Sequence, residues 1–104
     1  MEETGFCLCP HFAKTFEMLG KKWNGLIIEA LLHQEQARFK DLASQIPACS
    51  DRVLCARLKE LEDEGIVERV VKESNARPAY RLTPAGQDLA PVMDAVHVWS
   101  EKWR

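Results

Sequence analysis

The chain has 104 residues, is 46% hydrophobic and carries a formal net charge of −2. That length suits one compact domain with its own core and excludes two, and the charge excludes a globally basic surface, so any nucleic-acid footprint must be local. No run approaches the roughly 18 apolar residues of a membrane span, and Glu2 and Glu3 stand where a signal peptide would be basic, so a cytoplasmic protein without membrane contact is expected.

In chain order, "CLCPHF" (residues 7–12) sets Pro10 at a first helical position with Cys9 as its N-cap. Phe12, Phe16 and Leu19 then recur at helical spacing, and Gly20 ends the run. A second helix is predicted from about Lys22 to Leu32, with Trp23, Leu26, Ile27, Ala30 and Leu31 on one side. "HQEQAR" is polar and turn-like. Phe39, Leu42, Ala43 and Ile46 mark a short third helix stopped by Pro47. Ser50 caps a fourth, whose apolar stripe is Leu54, Leu58 and Leu61. Gly65 falls where a left-handed residue is wanted, and Ile66 where a Schellman motif would fold it back on Leu61.

From Val67 the pattern changes to two short β-prone runs, "VERVV" and "AYRLT", flanking the polar "KESNARP", a hairpin with a loose tip. Thr83-Pro84 opens a final helix whose apolar side carries Leu89, Val92, Met93, Val96, Trp99 and Trp103. Pro91 should kink that helix without ending it, because the apolar period runs past it. The order predicts a mainly α chain with a small β-hairpin: a single domain over residues 1–104, with a helix-turn-helix at about 39–64. A wing follows at about 66–83 and a C-terminal helix at about 84–103. This is a winged helix-turn-helix with additional N- and C-terminal helices. Such folds bind DNA or serve as protein adaptors.

Five motifs in order, "CP" (9–10), "GKKW" (20–23) followed by "LII", "RFKDL" (38–42), "RLKELEDEGIVER" (57–69) and "YRLTPAG" (80–86), resemble those of the HxlR-type winged-helix transcriptional regulators of bacteria. Two places depart from that pattern: Lys21, where a second small residue is usual, and the proline-poor "ARPAYR" of the wing. The resemblance implies a homodimer on a pseudo-palindromic double-stranded DNA operator, with the first and last helices in the dimer contact.

On a 3.6-residue period, with the leucines turned inward, the fourth helix would expose Asp51, Arg52, Cys55, Ala56 and Lys59. Arg52 suits the O6 and N7 acceptors of guanine. Ser50 would cap the helix or touch phosphate; Asp51 would read cytosine or complement the helix dipole. Lys40 and Lys59 are candidate backbone contacts, as are Lys72, Asn75 and Arg77 at the wing. The local charge leans the same way: residues 38–81 hold nine Lys/Arg against eight Asp/Glu (+1), and the remainder five against eight (−3). On the last helix Leu89 and Val92 are expected in the core. Val96, Trp99 and Trp103, completed by Phe12 and Phe16, would be an aggregation hazard unless paired, which suits a dimer interface.

The cysteines admit several readings. A disulfide scaffold conflicts with a reducing compartment. C-x-C with one histidine, and no second tight pair among Cys49, Cys55, His33 and His97, argues against a metal site. Cys9 sits where a helix N-terminus favours a thiolate, with Lys14 and protonated His11 nearby, and relatives in the resembled family sense oxidants or electrophiles through the cysteine before that proline. Cys49, just before the fourth helix, is the second redox candidate, alone or bridged to Cys9 of another subunit. Each of the four is also an ordinary buried thiol in the plainest reading. No cofactor loop, C-x-x-C pair or nucleophile–base set appears, so no catalytic residue and no cofactor are expected. A regulator switched by thiol chemistry is the leading expectation, with room for a small hydrophobic inducer between the long helices. A protein-interaction winged helix anchored on Trp99 and Trp103, without specific DNA binding, is the alternative.

Overall fold

The computed structural model describes residues 7–71 and 77–104. Among the described residues six helices and three strands follow one another: α1 (Pro10–Leu19), α2 (Asn24–Leu32), β1 (Ala37–Arg38), α3 (Phe39–Gln45), α4 (Asp51–Asp63), β2 (Val67–Val70), β3 (Ala79–Leu82), α5 (Pro84–Gln87) and α6 (Ala90–Trp103). Among them no helix is long and apolar enough to cross a membrane.

The helix ends follow local chemistry. Pro10 opens α1 without wasting a donor, since the first N–H groups of a helix have no intrahelical partner, and the Cys9 carbonyl takes the first helical bond from Ala13 N–H at 3.0 Å. The Ser50 hydroxyl oxygen accepts from Val53 N–H at 3.2 Å and starts α4. At the other end Ile66 N–H reaches the Leu61 carbonyl and Gly65 N–H the Glu62 carbonyl, both at 3.0 Å, with Gly65 at φ 77°. Those are the two bonds of a Schellman motif, and its left-handed residue is the reason for glycine.

Leu54, Leu58 and Leu61 bring α4 onto a core that also holds Ile27, Ile28 and Leu31 of α2, Leu42 of α3, and Val67, Tyr80 and Leu82 of the sheet. Burying a leucine fully stabilises by about 1.5–3 kcal/mol, so the inward face of α4 fixes its rotation more firmly than any surface contact could. Thr83 joins the next corner. Its hydroxyl donates to the Gly65 carbonyl at 2.6 Å and its oxygen accepts from Gly86 N–H at 3.2 Å. Gly86 packs so closely there that a Cβ would stand 2.4 Å from the Ile66 carbonyl oxygen.

Four expectations need correction. The hairpin is part of a three-stranded antiparallel sheet ordered β1-β3-β2, because Ala37 and Arg38 pair with Tyr80 and Ala79. The second helix begins at Asn24, after Trp23 in the left-handed region at φ 80°. Its buried face is Asn24, Ile27, Ile28 and Leu31, and Leu26 is exposed. The C-terminal helix is two helices, not one kinked at Pro91. The turn at Asp88–Leu89 separates α5 from α6, and Pro91 lies in the first turn of α6, where its missing N–H costs nothing. Finally, Val92 faces solvent. Leu89 and Met93 are the residues that pack from this segment onto the core.

Neither α1 nor α6 contains a fully buried residue. The radius of gyration is 16.0 Å, against about 13 Å for a compact chain of this length, as expected of terminal helices that extend beyond the body.

Candidate nucleic-acid interface

The α3–turn–α4 unit presents its free side through α4. Asp51, Arg52, Cys55, Ala56 and Lys59 are all exposed, as the inward leucines require, and Ser50 is occupied in capping. Neither Arg52, Lys59, Lys40 nor Arg77 forms an ion pair with a described residue. Four cations elsewhere are paired. Lys21 pairs with Glu60 at 3.0 Å, Arg57 with Glu60 at 3.4 Å, Arg69 with Glu62 at 3.9 Å, and Arg81 with Glu68. Arg52 and Lys59 on α4, with Lys40 and Arg77 beside them, thus leave cations without an ion-pair partner among the described residues on this side of an acidic protein.

A cleft of about 310 Å³ lies where α3 meets the wing, lined by Arg38, Phe39, Lys40, Arg77 and Pro78. Three cations around an aromatic ring suit a phosphate with its sugar. Arg38 was not among the residues singled out from sequence. The signal was present in "RFK", two cations flanking a half-buried phenylalanine. Lys72 and Asn75 lie outside the described residues.

The thiols occupy different environments. All four cysteines are free; Cys7, Cys9 and Cys55 are exposed, and Cys49 is buried with 4% of its surface accessible. Cys9 is the N-cap of α1 and makes no side-chain capping bond. The Cys49 thiol points to the Ser50 carbonyl at 3.6 Å, inside the core beneath the start of α4. The two redox candidates are therefore unequal: a reagent in solvent meets Cys9 directly, and meets Cys49 only if the turn opens.

A third feature is apolar. Val92, Val96, Trp99 and Trp103 form a continuous exposed stripe on α6, with Trp99 53% and Trp103 64% accessible. Arg104 and Lys102 sit over the Trp99 and Trp103 rings at 5.3 and 5.4 Å. On α1 the exposed Phe12 and Phe16 rings lie 4.8 Å apart. Between α2 and the α3–α4 turn, a hollow of about 360 Å³ is walled mainly by Trp23, Leu26, Ala30, Ile46 and Pro47, an apolar lining of the kind that small-molecule sites use.

Residues 18–104 match the family model described as HxlR-like helix-turn-helix. Among curated relatives, the Bacillus subtilis HTH-type transcriptional regulator YvaP is 42% identical over 97 residues, 92% of this chain and 89% of that one. YodB of the same organism, also an HTH-type transcriptional regulator, is 40% identical over 100 residues, 95% of this chain and 88% of that one. The reduced form of YodB superposes with a TM-score of 0.82 over 93% of this chain and 95% of that one, and its quinone-bound form with 0.80 over 91% and 100%. The redox regulator HypR in its oxidized form, 30% identical, gives 0.81 over 92% of this chain and 98% of that one.

Proposed function

The chain belongs to the HxlR-like helix-turn-helix family of transcriptional regulators, and from that we propose a dimeric regulator that grips a two-fold DNA operator in the cytoplasm and is switched by thiol chemistry at Cys9. The observation that carries the reading is the outward face of α4, a capped helix start with Arg52 and Lys59 exposed and without an ion pair among the described residues, above a fully buried leucine stripe.

In this reading the N-terminal half of α4 enters the major groove and Arg52 bonds a guanine edge. Lys59, Lys40 and the Arg38–Arg77 cleft meet phosphates and set the register. Two copies joined through the α6 stripe, with Phe12 and Phe16, place two α4 helices about a two-fold axis, so the operator repeats as a pseudo-palindrome. Cys9 is the sensor because it is exposed at a helix start, where the dipole favours the thiolate. An electrophile forms a bond to its sulfur as the thiol proton leaves; a peroxide oxidises it to the sulfenic acid and releases water. The likeness to quinone-bound YodB and to the redox regulator HypR supports a thiol switch.

Fluorescence anisotropy on duplexes from upstream of the protein's own gene and other two-fold sites, with scrambled duplexes beside them, tests all of this. Specific binding should change on mild oxidation and stop changing in Cys9→Ser. Arg52→Ala should lower discrimination by about 1–3 kcal/mol at one base pair of each half-site. Equal affinity for every duplex would favour the protein-interaction reading instead.

A further inference from the structure

Two helices that add nothing to the α4 face converge on one carboxylate. Glu29 and His33 lie one turn apart on α2, and His97 reaches them from α6, 68 residues beyond Glu29. The Nε2 atoms of both imidazoles stand 2.6 Å from the same Glu29 Oε2. All three donor atoms lie within 4.8 Å of one another.

We propose that Glu29, His33 and His97 form a binding site for a divalent transition-metal ion of the zinc type. Two neutral imidazoles and one carboxylate are a borderline donor set, suited to Zn²⁺ and its neighbours and not to Mg²⁺ or Ca²⁺, which take mostly oxygen. A tetrahedral ion with bonds of about 2.0–2.1 Å holds neighbouring donor atoms about 3.3 Å apart. To admit it the two hydrogen-bonded pairs open by less than an ångström, and the two imidazole nitrogens, within 4.8 Å of each other, settle at the same spacing. Each imidazole then presents its Nε2 lone pair with the proton carried on Nδ1. His33 and His97 are mostly exposed, so their torsions are free to adjust and the fourth position is open to water.

Hydrogen bonding alone is a weak reason for this arrangement. Exposed His–carboxylate pairs add little stability, yet two of the chain's three histidines meet at this one atom. The ion would also do something the hydrogen bonds do poorly. Met93 is the last residue of α6 packed against the core, and His97 lies one turn beyond it, so an ion would fix the direction in which α6 leaves the body. That consequence for dimer geometry rests on the proposed role of α6; ion binding itself does not.

The test is isothermal titration of Zn²⁺ into the full chain carrying Cys7→Ser, Cys9→Ser and Cys55→Ser, which removes the exposed thiols as competitors. The same background with His33→Gln or His97→Gln is titrated beside it, with circular dichroism to confirm folding. One ion per chain at micromolar Kd is expected, weakened about tenfold or more by either histidine substitution. Histidine ¹⁵N spectra should show Nε2 of residues 33 and 97 shifting on addition of the ion. No saturable binding, or a loss well short of tenfold in either variant, overturns the site.

Discussion

The guanidinium Nε of Arg57, on α4, donates to the carbonyl of Lys22 at 3.0 Å, joining α4 to the turn between α1 and α2. The same side chain reaches Glu60, which also receives Lys21. The turn that follows the helix bearing Cys9 is thereby latched to the helix proposed to read DNA. Lys21, the departure from the usual small residue, is accommodated because it has this partner. Arg57→Met keeps the aliphatic stem and removes the donor. Urea unfolding should show a loss of about 1–2 kcal/mol, mostly from the hydrogen bond, since Glu60 is too exposed for the ion pair to count for much. The oxidant response of DNA binding should weaken in the same variant.

Thiol labelling of the native protein should separate the cysteines. Cys7, Cys9 and Cys55 are expected to react within the dead time of hand mixing, and Cys49 only as slowly as its turn opens. In urea all four react together. Four fast thiols under native conditions would mean that Cys49 is not in the core.

Tyr80 is the chain's one tyrosine, so its ionisation can be followed directly by tyrosinate absorbance. Burial raises its pKa above the ordinary 10.0, helped by the Glu62 carboxylate and only partly opposed by Arg69. The folded state therefore prefers the neutral phenol. Below about pH 10 both states are neutral and stability is unaffected; above it the unfolded chain ionises first and stability falls until the folded phenol also ionises. The titration midpoint should lie above that of the urea-unfolded chain, and Tyr80→Phe should remove this part of the alkaline destabilisation.

Trp99 and Trp103 offer a clean separation of assembly from folding, because neither is packed on the core. The double variant Trp99→Glu, Trp103→Glu should sediment as a monomer at concentrations where the parent is a dimer, with at least about a hundredfold loss in dimer affinity. Its circular dichroism should be retained. An unchanged sedimentation coefficient would move the dimer contact elsewhere.

The parts of this molecule legible in its sequence are those with local causes. Cys9-Pro10, Ser50, Thr83-Pro84 and the Gly65-Ile66 pair each mark a helix end through their own local chemistry, and the leucine stripe determines which side of α4 is free. What could not be read depends on distant partners. Ala37 and Arg38 are too few to show a strand period and are a strand only because β3 lies beside them. The apolar run through Leu26, Ile27 and Ile28 does not choose its own face; packing in the core buries Ile28 and leaves Leu26 exposed. The apolar period of the C-terminal segment continues across the break at Asp88–Leu89 and so conceals it. Cys49 occupies a turn, where spacing says nothing about burial, and no local pattern joins Glu29 to His97.

The middle position of β3 has a consequence for how such a protein can change over generations. On one side β3 pairs with β2, and on the other with the two residues immediately before α3, in the register Ala37↔Tyr80 and Arg38↔Ala79. The loop between Val70 and Ala79 thus springs from a mounting bolted to the helix-turn-helix itself. Insertions, deletions and substitutions in that loop alter its reach and chemistry without tilting α4. If that loop contacts DNA as proposed, a lineage can retune one part of its grip while the rest keeps its aim.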